Sequence, residues 1–232
     1  MLTRDRPTLA PKAIACFMRQ TYPNKALLIY DTGEVPLSVE LPDVAHARPS
    51  EEILQKVRQL PIGALRNNAN RLVNADVIVH WDDDDWSHPH RIENQVCQLQ
   101  NFNAEIVGLR SMLFERRGEA WIYQNARKDY ALGTSLCYWR KTWEKRMFHD
   151  DLPRAKDHVP YDGRGEDTEF IEGMKVWSDA GVTPKRDVAD FAPVMIARIH
   201  GGNTSRGYDN LQEGPSWQRA PYWDERVREI LA

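Results

Sequence analysis

Four consecutive aspartates, Asp82-Asp83-Asp84-Asp85, follow the β-branched apolar run Val77-Ile78-Val79 and are bracketed by Trp81 and Trp86. The run reads as a buried strand, so the carboxylates stand where a strand spills into a loop. Such a cluster cannot be buried unpaired. Adjacent carboxylates repel, and relief comes from solvent, basic neighbours or an oxygen-preferring divalent cation such as Mg²⁺ or Mn²⁺. A solvated acidic loop is the plain alternative. Tryptophans on both sides of the acids, directly after a core strand, favour the functional reading.

The rest of the chain supplies the frame. Leu9, Ala13 and Phe17 share one face of a first helix that ends before Tyr22-Pro23-Asn24. Residues 26–30 form an apolar run of strand length, stopped by Asp31-Thr32-Gly33. Ser50 precedes Glu51 and Glu52, a helix start, with Ile53, Leu54, Val57 and Leu60 at helical spacing behind it. Residues 63–75 are expected to be helical. Pro89 opens a further helix carrying Ile92, Val96 and Leu99. Strand-like pieces follow at 105–109, 111–115, 121–123 and 135–139. A helix is expected from Gly165 with Phe170, Met174 and Trp177 on one side, then a strand over 194–199 and a short helix over 223–231. Helices alternating with short apolar strands predict an α/β domain with a largely parallel sheet, in which ligands gather beyond the carboxyl ends of strands. By that rule Asp31, the acids at 82–85 and His200 converge on one crevice.

Composition narrows the classes. With 232 residues, 41% of them hydrophobic and 28% charged, the chain is long enough for one sizeable core. A net charge of −3 provides no global basic field, so nucleic acid is not indicated as a partner. Cys16, Cys97 and Cys137 are odd in number and widely spaced, which fits neither a disulfide framework nor a thiolate zinc site and points to a reducing cytoplasm. No apolar stretch has membrane-spanning length, and Arg4, Asp5 and Arg6 stand where a signal peptide needs an apolar core.

Several pieces in order resemble a known family. Gln20-Thr21-Tyr22-Pro23-Asn24, Leu28-Ile29-Tyr30-Asp31, Gly63 with Arg66-Asn67 and Ala69, and the four aspartates are similar to the nucleotide-binding half of glycosyltransferase family 2. Gly133-Thr134-Ser135 with Cys137, Gly165-Glu166-Asp167 and the stretch from Ile199-His200-Gly201 to Ser205 continue that order. The resemblance implies the GT-A fold: one Rossmann-like α/β domain with a central, mostly parallel sheet flanked by helices. Residues 1–100 would form the nucleotide-sugar half, 101–205 the acceptor and catalytic half, and 206–232 a C-terminal extension. Only Met1 and Leu2 precede Thr3, so most of the family's first strand is absent from this sequence.

By the same resemblance, the chain is expected to transfer a sugar, with inversion, from a nucleotide-sugar donor, UDP-linked by preference, to an unknown acceptor hydroxyl. Thr3, Arg4, Asp31, Arg66, Asp82 and Asp83 match donor-binding positions, and Asp84 and His200 match ligands of Mn²⁺ or Mg²⁺. Asp83 and Asp85 compete for the roles of Asp82 and Asp84. An imidazole ligand favours Mn²⁺. Asp167 matches the base that deprotonates the acceptor, while Glu166 and Trp86 are candidate acceptor contacts. Acids near a helix start also cap it, and both uses are compatible for Asp167. The family shows two acids where this chain has Asp31-Thr32.

Other classes compete. Trp86 and Ser87 stand where an EF-hand needs an oxygen ligand and Gly. A zinc hydrolase on His80, His88 and His90 has a spacing that fits no helix face. A sugar nucleotidyltransferase would open on a Gly-rich phosphate loop with a Lys. A sugar-nucleotide binder without turnover is the non-enzyme alternative. The Trp-containing tail is read either as a lid over the donor or as a packed extension or homodimer contact.

Overall fold

The computed structural model describes residues 1–149, 166–180, 193–201 and 211–232. The chain opens on a two-residue strand, β1 (Leu2–Thr3), runs through α1 (Ala10–Met18) and returns as β2 (Leu27–Asp31), parallel to β1 with Thr3 opposite Asp31. β3 (Val44–Ala47) adds a further parallel strand beside β2. Alternation along β2 divides the packing as the pleat requires. Leu27 and Ile29 face α1 with Ala13, Ile14 and Phe17, whereas Tyr30 faces Val57, Leu65 and Ala69. These last come from α2 (Glu51–Gln59) and α3 (Ile62–Leu72). Glu51 and Glu52 in the first turn of α2, with Lys56 and Arg58 in its last, complement the helix dipole.

A larger sheet follows: β4 (Val77–Val79), β5 (Trp86–Ser87), β6 (Ile106–Arg116), β7 (Glu119–Gln124), β8 (Cys137–Trp139), β9 (Val176–Ala180), β10 (Met195–Arg198) and β11 (Trp217–Arg219). The long β6 is its spine, pairing antiparallel with β7 and β8 and parallel with β9 and β10. A bridge between Leu2 and Asp82 ties β1 to the acidic loop. Two residues of strand therefore suffice to place Thr3 between Asp31 and the aspartates.

The helices α4 (Arg91–Asn101), α5 (Arg140–Lys145), α6 (Glu166–Ile171) and α7 (Asp224–Leu231) complete the described elements. Ile92 and Val96 of α4 join the α1 cluster, and Leu99 packs on Val107 and Cys137. Val227 of α7 and Trp223 bury against Leu113, Ile122 and Ile196, while β11 extends the sheet beside β7. The described part of the tail, 211–232, is thus a packed extension of the sheet.

Four expectations are corrected. The larger sheet is mixed, because β6 and β7 form a hairpin whose two-residue turn, Arg117-Gly118, has both φ positive at 53° and 81°. That geometry is a type I′ turn, and Arg-Gly is a weak signal for it compared with Asn-Gly. Residues 105–109 and 111–115 belong to one strand with a register shift between Leu109 and Ser111 against β9. The helix from Glu166 stops at Ile171, and Trp177 lies in β9, because Gly173 at φ 74° breaks the helix. Ser135 belongs to a 3-10 turn (Gly133–Ser135), with β8 starting after it. Gly165 and residues 202–205 lie outside the described residues.

Candidate active site

Asp83 and Asp85 are buried, the Asp84 side chain is no more exposed than that of Asp83, and the four acids differ in the partners they meet. Asp85 faces the scaffold: its Oδ2 accepts from Thr134 Oγ1 at 2.6 Å and its Oδ1 from the Arg198 amide at 3.2 Å. Burial, then the charges of Asp84 and Asp82, push its carboxyl well above the ordinary range. Asp83 Oδ2 accepts from Thr3 Oγ1 at 2.7 Å, and burial pushes Asp83 up to about 6. Asp84 faces His200, with Oδ2 3.0 Å from Nε2, and an Nη1 of Arg6 stands 2.5 Å from that Oδ2. Asp82 lies on the other side, close enough to Arg66 and Asp167 to shift both. Asp83 and Asp84 share Arg6, Asp85 is held by the scaffold, and Asp82 acts toward Arg66 and Asp167.

The loop is held from behind by Arg91, 1% exposed at the start of α4. Its guanidinium donates to Gln95 Oε1, Ser87 Oγ and the carbonyls of His80 and Thr134 at 2.8–3.2 Å, and it lies over the Trp81 ring. A planar fork of five donors can staple three segments at once. Burial lowers its pKa to about 10, which leaves it charged at neutral pH.

Asp167 and Glu166 open α6, facing Arg66 of α3. Arg66 Nε is 3.4 Å from Glu166 Oε1, and Arg66 Nη2 is 3.7 Å from Asp167 Oδ1. Asp167 Oδ1 is buried and has no hydrogen-bond partner among the described residues. Burial, then Glu166, push the Asp167 carboxyl up to about 8 against the pull of Arg66. Gly133 packs so tightly on this carboxylate that an added Cβ would overlap it. Buried His80 fixes Gly133 in turn. Tyr138 Oη, accepting from Asn70, lies 3.1 Å from His80 Nε2, and His80 Nδ1 lies 2.7 Å from the Gly133 carbonyl and 2.9 Å from Arg66 Nη1, so the ring ties all three together. Burial and Arg66 hold His80 well below its ordinary pKa, in its neutral form.

Several candidates take scaffold roles. Asp31, 1% exposed, accepts from the amides of Gly33 and Leu37 and from His46 Nε2, which organises the loop after β2. Burial raises its pKa, but these donors outweigh it and the net shift is downward. Arg4 donates to Thr32 Oγ1 and the Arg58 carbonyl. Trp86, the candidate acceptor contact, is partly buried and packs against both the α1 cluster and the Trp223 cluster, in the strand β5 that pairs with β10. The three histidines of the zinc alternative do not converge: His80 is bound within the core and His90 is exposed beside Glu93. No cluster of three or more metal-ligating side chains occurs among the described residues. Asp84 Oδ2 and His200 Nε2, 3.0 Å apart, could hold a hard cation that took its remaining ligands from water and phosphate. Sequence reasoning gave no site role to Arg6, Arg91 or Thr134, although Thr134 lies within the Gly133-Thr134-Ser135 piece of the resemblance.

An α/β domain with carboxylates and a histidine meeting beyond strand carboxyl ends has the architecture of the GT-A glycosyltransferases. The chain belongs to glycosyl transferase family 2, whose model matches residues 1–161. Among solved structures, S. aureus TarS 1–349 in complex with UDP-GlcNAc superposes with a TM-score of 0.60 at 11% identity, over 89% of this chain and 60% of that one. The UDP complex of TarS 1–349 gives 0.54 at 12% identity, over 85% and 59%. A longer S. aureus TarS structure gives 0.52 at 13%, over 85% of this chain and 36% of that one. These likenesses show the fold, and the chain spans 36–60% of those structures. No curated protein sequence matches it. No helix among the described residues is long and apolar enough to cross a membrane.

Proposed function

We propose that the chain transfers a sugar from a nucleotide-sugar donor, UDP-linked by preference, to an acceptor hydroxyl with inversion at the anomeric carbon. The observation that carries this reading is the buried Asp167 Oδ1, 3.7 Å from Arg66 Nη2 but without a hydrogen-bond partner among the described residues, on a carboxyl with a raised pKa in a family 2 domain. A carboxylate so placed is a base lacking only its proton donor. The acceptor hydroxyl hands its proton to Asp167 while its oxygen bonds to the anomeric carbon. The bond from that carbon to the diphosphate breaks on the opposite face, and the nucleoside diphosphate leaves. Glu166 accepts from a second acceptor hydroxyl, and Arg66 favours the ionised base. Asp84 and His200 would hold Mn²⁺ or Mg²⁺, which when bound neutralises charge on the departing diphosphate. Complexes of TarS with UDP and UDP-GlcNAc support the choice of base. Three unpaired cysteines, two of them buried, suit a cytoplasmic setting.

Calorimetric titration with UDP and GDP, each with Mn²⁺ and with EDTA, tests the donor site. Metal-dependent binding of UDP alone is the expected result. Release of UDP from UDP-sugars with candidate acceptors separates an enzyme from a binder without turnover.

A further inference from the structure

We propose that Arg6 competes with the cation: its guanidinium holds Asp84 and His200 when no metal is bound and withdraws when one binds. The proposal rests on the assignment of Asp84 and His200 as metal ligands. Arg6 reaches them because the loop after β1 turns at Asp5, which adopts φ 51°. Asp5 is pinned there by the Glu34 amide and by Arg58 Nη2 at 3.1 Å. The turn sends Arg6 back across the acidic loop, where one nitrogen, Nη1, meets three groups. It lies 2.5 Å from Asp84 Oδ2, 2.9 Å from His200 Nε2 and 3.6 Å from Asp83 Oδ1.

A carboxylate and an imidazole lone pair converging on one point form the donor set of a divalent cation. A cation bonded to both atoms would sit about 2.0–2.3 Å from each, on ground that the Arg6 nitrogen already holds. Two positive centres cannot share it. His200 Nε2 lies between a donor, Arg6 Nη1 at 2.9 Å, and an acceptor, Asp84 Oδ2 at 3.0 Å, and metal ligation by Nε2 needs the tautomer with the proton on Nδ1. The ligands are therefore kept in binding geometry by a cation of the protein's own. Once displaced, the guanidinium remains beside the diphosphate, a group that arginine forks bind well. Metal alone should then bind weakly, and metal with diphosphate tightly, because the phosphates give Arg6 a new partner.

Electron paramagnetic resonance titration of Mn²⁺ against the full chain, without nucleotide, tests this. Arg6→Gln should tighten Mn²⁺ binding about tenfold or more, the scale of a lost charge-assisted bond. Asp84→Asn should abolish binding in both the parent and the Arg6→Gln background. Unchanged or weaker Mn²⁺ binding by Arg6→Gln, with Asp84→Asn still abolishing it, overturns the competition and leaves the metal assignment standing. Mn²⁺ binding indifferent to Asp84→Asn, or absent from every variant, overturns the metal assignment and the proposal together. A second measurement needs no variant. Phenylglyoxal labelling of Arg6, read by peptide mass spectrometry, should rise when Mn²⁺ is added, and labelling unchanged or reduced by Mn²⁺ argues against withdrawal.

Discussion

In the proposed transfer, Asp167 is the side chain that takes the acceptor proton. A base must be ionised to accept a proton, so with its carboxyl at about 8, kcat/KM should climb with pH up to that value and level off above it. Arg66→Gln removes a cation that favours ionisation, and the acid limb of the pH profile should move upward. A limb that stays in place would show that Arg66 acts elsewhere. The folded value lies above the reference of 3.8, so the ionised form costs stability, and the parent should lose stability as pH rises between these values. Asp167→Asn should therefore abolish transfer, retain UDP affinity in calorimetry and raise Tm at pH 8 by about 2–4 °C. Asp84→Ala should act on binding instead, weakening Mn²⁺-dependent UDP affinity about tenfold or more in the same titration. The acids themselves were legible as a run. Their separate partners were not, because four identical side chains carry no mark of which one meets Thr134, Thr3, His200 or Arg66.

Elements place these residues, and their contacts were less visible. α4 was legible from its apolar spacing, yet that spacing says nothing of the buried Arg91 at its first position, which joins α4 to the acidic loop and the 3-10 turn. Arg91→Ala should cost about 3 kcal/mol or more in urea unfolding, because it orphans several buried acceptors at once. The 3-10 turn carries a second constraint. Gly133 has no room for a Cβ against Asp167, so Gly133→Ala should displace the base and cut transfer about 100-fold while circular dichroism stays unchanged. Of the strands, those with continuous apolar runs were readable. β3 and β11 were not, since Val44–Ala47 contains His46 and two of the three residues of Trp217–Arg219 are polar, and each pairs with the edge of a neighbouring strand.

Across the whole molecule, two sheets meet at β1 and the site lies where their strand ends face one another. The described tail belongs to this body: Trp223 is 1% exposed among side chains of β6, β7 and β10. Trp223→Ala should cost about 3–5 kcal/mol in chemical denaturation, far more than a surface lid would show. The sequence by itself determined the α/β class, the family, the strand that delivers the aspartates, and the residue types the chemistry needs. Periodicity and motif order are local properties, carried by neighbours along the chain. Tertiary structure alone decided that the larger sheet is mixed, that Trp86 packs between two apolar clusters, that Asp31 accepts from the amides of Gly33 and Leu37, and that Arg6 lies across Asp84 and His200. Those outcomes depend on which strand edge pairs with which and on where a guanidinium finds its acceptors. Both are set by contacts between residues as many as 194 positions apart, a separation that no local pattern records.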